Sequence, residues 1–236
     1  MTEALHPKLE ELIATLERLR APGGCAWDAE QTHESLVKYL VEETYELVDA
    51  IERGDRDEMI EELGDVLYQV VFHSDIAAHT PGEEFTLEDV AANMTAKMIG
   101  RHPHVFGDDD AKAALNIQSG SDVSGMWDEL KQADKSSRTS VLDGIPQAMP
   151  ALALADKVLG KAEKIGIIDA DAPPAIAVAS EDELGPLLLA IVSAARASGL
   201  DAERALRSTL RDLQDEIREA ENGGGVDAGV IGVPAG

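Results

Sequence analysis

Apolar residues recur at helical spacing along most of this chain. Leu5, Leu9, Leu12, Ile13, Leu16 and Leu19 fall on one face of a helix that must stop before Pro22-Gly23-Gly24. A second stripe (Val37, Leu40, Val41, Leu47, Val48, Ile51) and a third (Ile60, Leu63, Val66, Leu67, Val70) are separated by Arg53-Gly54-Asp55. Gly54 can take the left-handed conformation that ends a helix, and Asp55 with Glu58 can open the next as N-cap and capping box. The two stripes therefore predict an αα-hairpin, with Thr32 as the N-cap of its first helix. Thr80-Pro81-Gly82 breaks the chain after it, and Thr86 with Asp89 signals another capped helix. The pattern as a whole predicts an all-α fold of helical hairpins packed as a bundle.

The polar positions of the hairpin are unusual. Glu42, Glu43 and Glu46 lie on the first helix, and Glu61, Glu62 and Asp65 on the second. Glu46 and Glu62 are each eight residues from Gly54, and Glu43 and Asp65 are each eleven from it. In antiparallel helices such residues share a height, here roughly 12 Å and 17 Å from the turn at about 1.5 Å per residue. Four carboxylates thus come to two facing rungs. No Lys or Arg occurs from Tyr39 to Glu52 or from Asp57 to Ala96. A face meant only for water usually pairs its acids with bases at i+4. The missing counterion is more economically a divalent cation, and carboxylates without His or Cys favour hard Mg2+, with Mn2+ able to substitute.

Three other readings compete. Acid-rich surfaces follow from composition alone, with 46 acids against 20 bases, and a non-catalytic acidic helical protein that binds a partner would present the same carboxylates. A di-iron bundle also groups Glu on facing helices but needs Glu-x-x-His pairs, whereas Glu46 and Asp65 stand at i+3 here.

Glu42-Glu43-x-x-Glu46 followed by Glu62-x-x-Asp65 resembles the signature of the all-α nucleoside triphosphate pyrophosphohydrolases. Gly24-Cys25-Ala26-Trp27-Asp28-x-x-Gln31-Thr32 upstream and Arg101-His102-Pro103-His104-Val105-Phe106 downstream narrow the resemblance to the MazG family. The resemblance implies Mg2+-dependent hydrolysis of nucleoside triphosphates to monophosphate and pyrophosphate, with house-cleaning of aberrant nucleotides as a role. It implies Glu43, Glu46, Glu62 and Asp65 as metal ligands. Either Glu42 or Glu61 can take the proton of the attacking water, and the sequence does not choose between them. Lys97 and Arg101 match positions that contact substrate phosphates, and Trp127 and Lys131 resemble the Trp and Lys of the family's closing helix. A homodimer whose helices complete one core is implied as well. The same site could serve an alarmone or a dUTP-like nucleotide, since discrimination rests on pocket shape.

Other features weigh less. Trp27 either anchors the core or borders the nucleotide. Pro103 denies His102 and His104 the i, i+4 geometry of a metal pair, so a structural turn is expected, and residues 107 to 122 read as a loop or lid. Cys25 is the only cysteine, which excludes an internal disulfide and a Cys-based zinc site. A formal net charge of -26 argues against nucleic acid and anionic membranes as partners. No apolar run approaches the ~20 residues of a membrane span, and Met-Thr-Glu-Ala lacks a signal peptide's features, so a cytoplasmic protein is the default expectation.

The domain reading is residues 1–134 catalytic, 135–146 linker, 147–221 a degenerate second MazG-like unit and 222–236 a Gly-rich tail without apolar content to order it. Asp182-Glu183-Leu184-Gly185-Pro186-Leu187-Leu188 echoes Glu61-Glu62-Leu63-Gly64-Asp65-Val66-Leu67, with Pro186 in place of Asp65. Proline suits a first helical position, so a helix over 186–198 is expected, then one over 201–221. Without its acids this unit should be catalytically silent and kept for packing or dimerisation.

Overall fold

The computed structural model describes residues 6–109, 123, 126, 139–169, 172–174 and 176–223. Every regular element among them is a helix. The chain divides into two compact units, Met1–Lys131 and Gln132–Gly236.

In the first unit, α1 (Pro7–Arg20) begins on a proline, whose missing N–H costs nothing at a helix start, and α2 (Ala26–Glu30) follows one short loop. The hairpin is α3 (His33–Arg53) and α4 (Arg56–His79). Thr32 caps α3 and forms a reciprocal capping box with Ser35. Gly54 has φ +68°, and the N–H of Asp55 reaches the Ala50 carbonyl, so the end of α3 is a left-handed glycine stop. Asp55 accepts from the N–H groups of Asp57 and Glu58, as an N-cap should. The expected capping box with Glu58 is not the arrangement found: the Glu58 carboxylate pairs with Arg53 across the turn. The opposite charge of Arg53, five residues before Glu58, outcompetes a neutral backbone N–H for that carboxylate. Thr86 and Asp89 form the predicted box at the start of α5 (Leu87–Arg101), and α6 (Pro103–Phe106) is a single turn.

The core of this unit is Leu16, Leu36, Val71, Phe72 and Ile76, with Ile13, Tyr39, Tyr68 and Leu87 packed around it. Each such side chain contributes roughly 1.5–3 kcal/mol on burial. The two stripes of the hairpin are largely outside this core. Leu40, Leu47 and Val66 are half-buried, whereas Val37, Val41, Val48, Ile51, Ile60, Leu63, Leu67 and Val70 are 39–55% exposed.

The second unit holds α7 (Ala151–Lys164), α8 (Glu181–Ala197) and α9 (Ala202–Glu221). Its core joins Leu154, Val158 and Ala162 of α7 to Leu210, Leu213 and Ile217 of α9. Leu142, within the stretch read as a linker, is buried in the same core. The helix expected to begin at Pro186 starts five residues earlier, at Glu181, so Pro186 lies inside it. Ser180 explains the difference. Its side chain accepts from the N–H of Glu183, and three acids fill the first turn, where the helix dipole favours negative charge. A proline in the second turn forfeits one backbone hydrogen bond, which this start outweighs.

Among the described residues no single helix is long and apolar enough to cross a membrane.

A candidate metal centre on facing helices

The antiparallel run of α3 and α4 brings Glu43, Glu62 and Asp65 together. Each offers an oxygen within 4.8 Å of the others, and all three are half-buried. Glu62 and Asp65 are one helical turn apart on α4, and Glu43 faces them from α3. No other group of three or more metal-ligating side chains forms among the described residues.

The electrostatics show how poorly these carboxylates tolerate one another. The Glu43 carboxyl is pushed up to about 7, first by desolvation, then by the Asp65 charge, a hydrogen bond with Glu46 and the charges of Glu46 and Glu62. Glu62 is raised above the usual carboxylate range, by desolvation first and then by Glu46, Asp65, Glu61 and Glu58. Oε2 of Glu62 is buried without a hydrogen-bond partner. An orphaned carboxylate oxygen beside two further acids is the environment a cation relieves. The donor set is all oxygen, which suits a hard divalent ion rather than a soft one.

The remaining predicted residues are placed less centrally. Glu46 is exposed and lies outside the trio, yet it reaches the Glu43 carboxyl. Glu42 and Glu61 are exposed on the flanks of their helices. Lys97 and Arg101 lie one turn apart on α5, which packs on α4. Lys97 is exposed and lines a shallow cavity of about 360 Å3 with Phe85, Asp89, Val90, Asn93 and Met94. Trp127 and Lys131 lie outside the described residues, as does most of the expected 107–122 loop. Trp27 is not a core anchor: it is 48% exposed and meets Tyr39 edge to face, with ring centroids 5.7 Å apart. Nδ1–H of His102 donates to the Met98 carbonyl at 2.6 Å, a fixed turn rather than a metal pair with His104.

One support had no sequence signal. The Arg20 guanidinium donates to Oδ2 of Asp75 at 2.5 Å and to the Asp28 carbonyl at 2.6 Å. Its plane also lies over the Phe72 ring. Arg20 thereby ties the Trp27-Asp28 segment to α4, and Tyr68 donates to the buried Asp28 carboxylate at 3.4 Å.

The model of the MazG nucleotide pyrophosphohydrolase domain matches residues 31–106, which run from just before α3 to the end of α6. The nucleoside triphosphate pyrophosphohydrolase/pyrophosphatase MazG of Thermotoga maritima is 38% identical over 229 residues, covering 90% of this chain and 85% of the relative. The nucleoside triphosphate pyrophosphohydrolase of Escherichia coli K12 is 34% identical over 237 residues, covering 91% and 87%. An uncharacterized 26.1 kDa protein of Streptomyces cacaoi is 45% identical over 217 residues, covering 91% and 83%. Relatives matching along nine-tenths of the sequence, and a domain model centred on the carboxylate hairpin, establish that this chain belongs to the MazG nucleotide pyrophosphohydrolase family.

Proposed function

We propose that this protein hydrolyses nucleoside triphosphates between the α and β phosphates, giving the monophosphate and pyrophosphate. The observation that carries the reading is the trio of Glu43, Glu62 and Asp65 with its orphaned Glu62 oxygen. Glu43, Glu46, Glu62 and Asp65 would hold Mg2+, or Mn2+ in its place. When bound, the ion neutralises and orients the triphosphate. Glu42 or Glu61 accepts the proton of the attacking water from the exposed flank of the cluster. Lys97, Arg101 and Lys131 steady the phosphates, and Trp127 borders the base or sugar.

The exposed stripes on α3 and α4 support a homodimer. Eight large apolar side chains, spaced three, four or seven apart along facing helices, are exposed within the described residues of the first unit, and a second copy of the hairpin would bury them as a four-helix core. The second unit contributes packing rather than chemistry. We place the protein in the cytoplasm, clearing aberrant nucleotides.

The test is pyrophosphate release from a panel of canonical and modified nucleoside triphosphates, with and without Mg2+, for wild type and Glu43→Ala. The expected result is Mg2+-dependent pyrophosphate, not single phosphate, that is lost in the variant. No release by folded wild type across the panel overturns the assignment.

A further inference from the structure

His33 opens α3, His73 lies on α4, and Glu83 sits in the turn between α4 and α5. None of them enters the reaction proposed above. Nδ1 of His33 and Nδ1 of His73 are 2.6 Å apart, and Nε2 of His33 is 2.8 Å from Oε2 of Glu83. The ring planes are within 3° of parallel, with centroids 4.9 Å apart. The centroid separation exceeds the Nδ1 separation by twice the radius of an imidazole ring. The rings therefore meet edge to edge, with the in-plane nitrogens pointing at one another.

That contact fixes the proton count. Two bare nitrogens at this distance would oppose their lone pairs, and two N–H groups would collide, so one proton lies between them. A second proton on Nε2 of His33 is donated to the Glu83 carboxylate. Both conditions are met when the pair is neutral, with His73 donating to His33, and when it carries one extra proton. They fail when both imidazoles are charged.

We infer that His33, His73 and Glu83 form a proton-shared clamp that positions the α4–α5 turn, and with it Lys97 and Arg101 on α5, against the start of α3, and that opens when both rings are protonated. The half-buried His73 is held below the usual histidine range by desolvation and then by His33, which opposes that second charge. Of the charged groups on the elements around the clamp, Glu34 also feels His33, whereas Asp75 and Asp89 have partners of their own. Glu34, beside His33, is held low by its own backbone hydrogen bond, then by Thr32, and least by His33. Asp75 on α4 pairs with Arg20 of α1 and with His79. Asp89 on α5 is bonded to Thr86.

A depressed histidine contributes stability that is present above its unfolded value, about 6.5, and is lost as pH falls below it. The test is thermal unfolding of the full chain from pH 8 to pH 5, with amide exchange across residues 80–87, for wild type, His73→Gln and Glu83→Gln. Relative to His73→Gln, wild type is expected to lose stability and turn protection on the acid side. His73→Gln keeps a donor for His33 but cannot charge, so its loss is flatter. Glu83→Gln removes the counter-charge of the first extra proton, so the closed clamp binds protons more weakly and the loss is steeper. Differences of about 2–4 °C between variants are expected near the acid end. Equal pH slopes in the three proteins overturn the clamp, as does exchange that rises everywhere but in the turn. Should His73→Gln fail to fold, the exposed Glu83→Gln decides alone, a slope equal to wild type overturning the inference. Turnover is not read, so a failed pyrophosphohydrolase assignment leaves this result standing.

Discussion

Glu62 and Glu183 stand in matching heptapeptides, Glu61 to Leu67 and Asp182 to Leu188, yet the molecule uses them in opposite ways. Glu62 is seven residues into α4, past the capping region, so no backbone N–H is free for it, and its Oε2 is buried without a partner beside Glu43 and Asp65. Glu183 is three residues after the Ser180 cap. Its carboxylate accepts from the N–H of Ala179 at 2.9 Å while its own N–H goes to Ser180. The helix start thus decides what a carboxylate does: at the first turn the backbone consumes its charge, and one turn deeper the charge is left for something else. Pro186 completes the contrast by standing where Asp65 supplies an oxygen.

The sharpest way to break this comparison is to delete both acids in turn. Glu62→Ala should lower Mg2+-dependent pyrophosphate release by about 100-fold or more, the scale of several kcal/mol of lost electrostatic stabilisation. Glu183→Ala should leave turnover within about twofold and cost about 1 kcal/mol of stability, the usual value of a lost helix cap. Equal losses of turnover in the two variants would mean that the second repeat still takes part in the reaction.

A smaller effect is expected at the apolar stripe. Leu67 is 41% exposed on α4, in line with Leu63 and Val70. If a second copy covers this face, Leu67→Glu buries a charge in the interface and should weaken the pair by at least about tenfold. Sedimentation at fixed concentration would show the mass falling toward one chain. A wild-type protein that already sediments as a single chain removes the dimer from the proposal.

What could be read in advance is what local chemistry determines. The caps at Thr32, Asp55 and Thr86 and the left-handed Gly54 follow from neighbours within a few residues, and the facing carboxylates follow from equal distances to that glycine. The sequence pattern did not say which apolar face finds a partner within the chain. Leu36 and Phe72 are fully buried while their neighbours Val37 and Val70 are exposed, because periodicity defines a face without naming what covers it. Contacts between distant residues were equally silent. Arg20 reaches Asp75 across 55 positions, and His33 meets His73 across 40; no spacing rule joins such pairs. At Pro186 two local rules conflict, and the Ser180 cap with its three acids outweighs the preference of proline for a helix start.

The last expected effect is a pH dependence centred on Glu43. In the cation-free protein the Glu43 carboxyl lies at about 7 against an ordinary 4.5. Between those values the folded chain keeps a proton that the unfolded chain releases, so the folded state binds more protons and its stability falls as pH rises through this window. Three causes act together, desolvation first, then the facing Asp65 charge, then the hydrogen bond with Glu46, and each disfavours the ionised form. Glu43→Gln has no proton to lose there, so in chelator wild type should lose stability relative to this variant as pH rises from 5 to 7, whatever slope the histidine pair adds to both. A saturating cation should act in the opposite direction, since it binds the ionised carboxylates and releases the proton, stabilising wild type more as pH rises. The two arms separate the readings of the acidic face: if chelated wild type and Glu43→Gln share one slope and Mg2+ moves neither, the carboxylates are a solvated surface like the exposed acids elsewhere on the helices, and the contrast between Glu62 and Glu183 is one of position without chemistry.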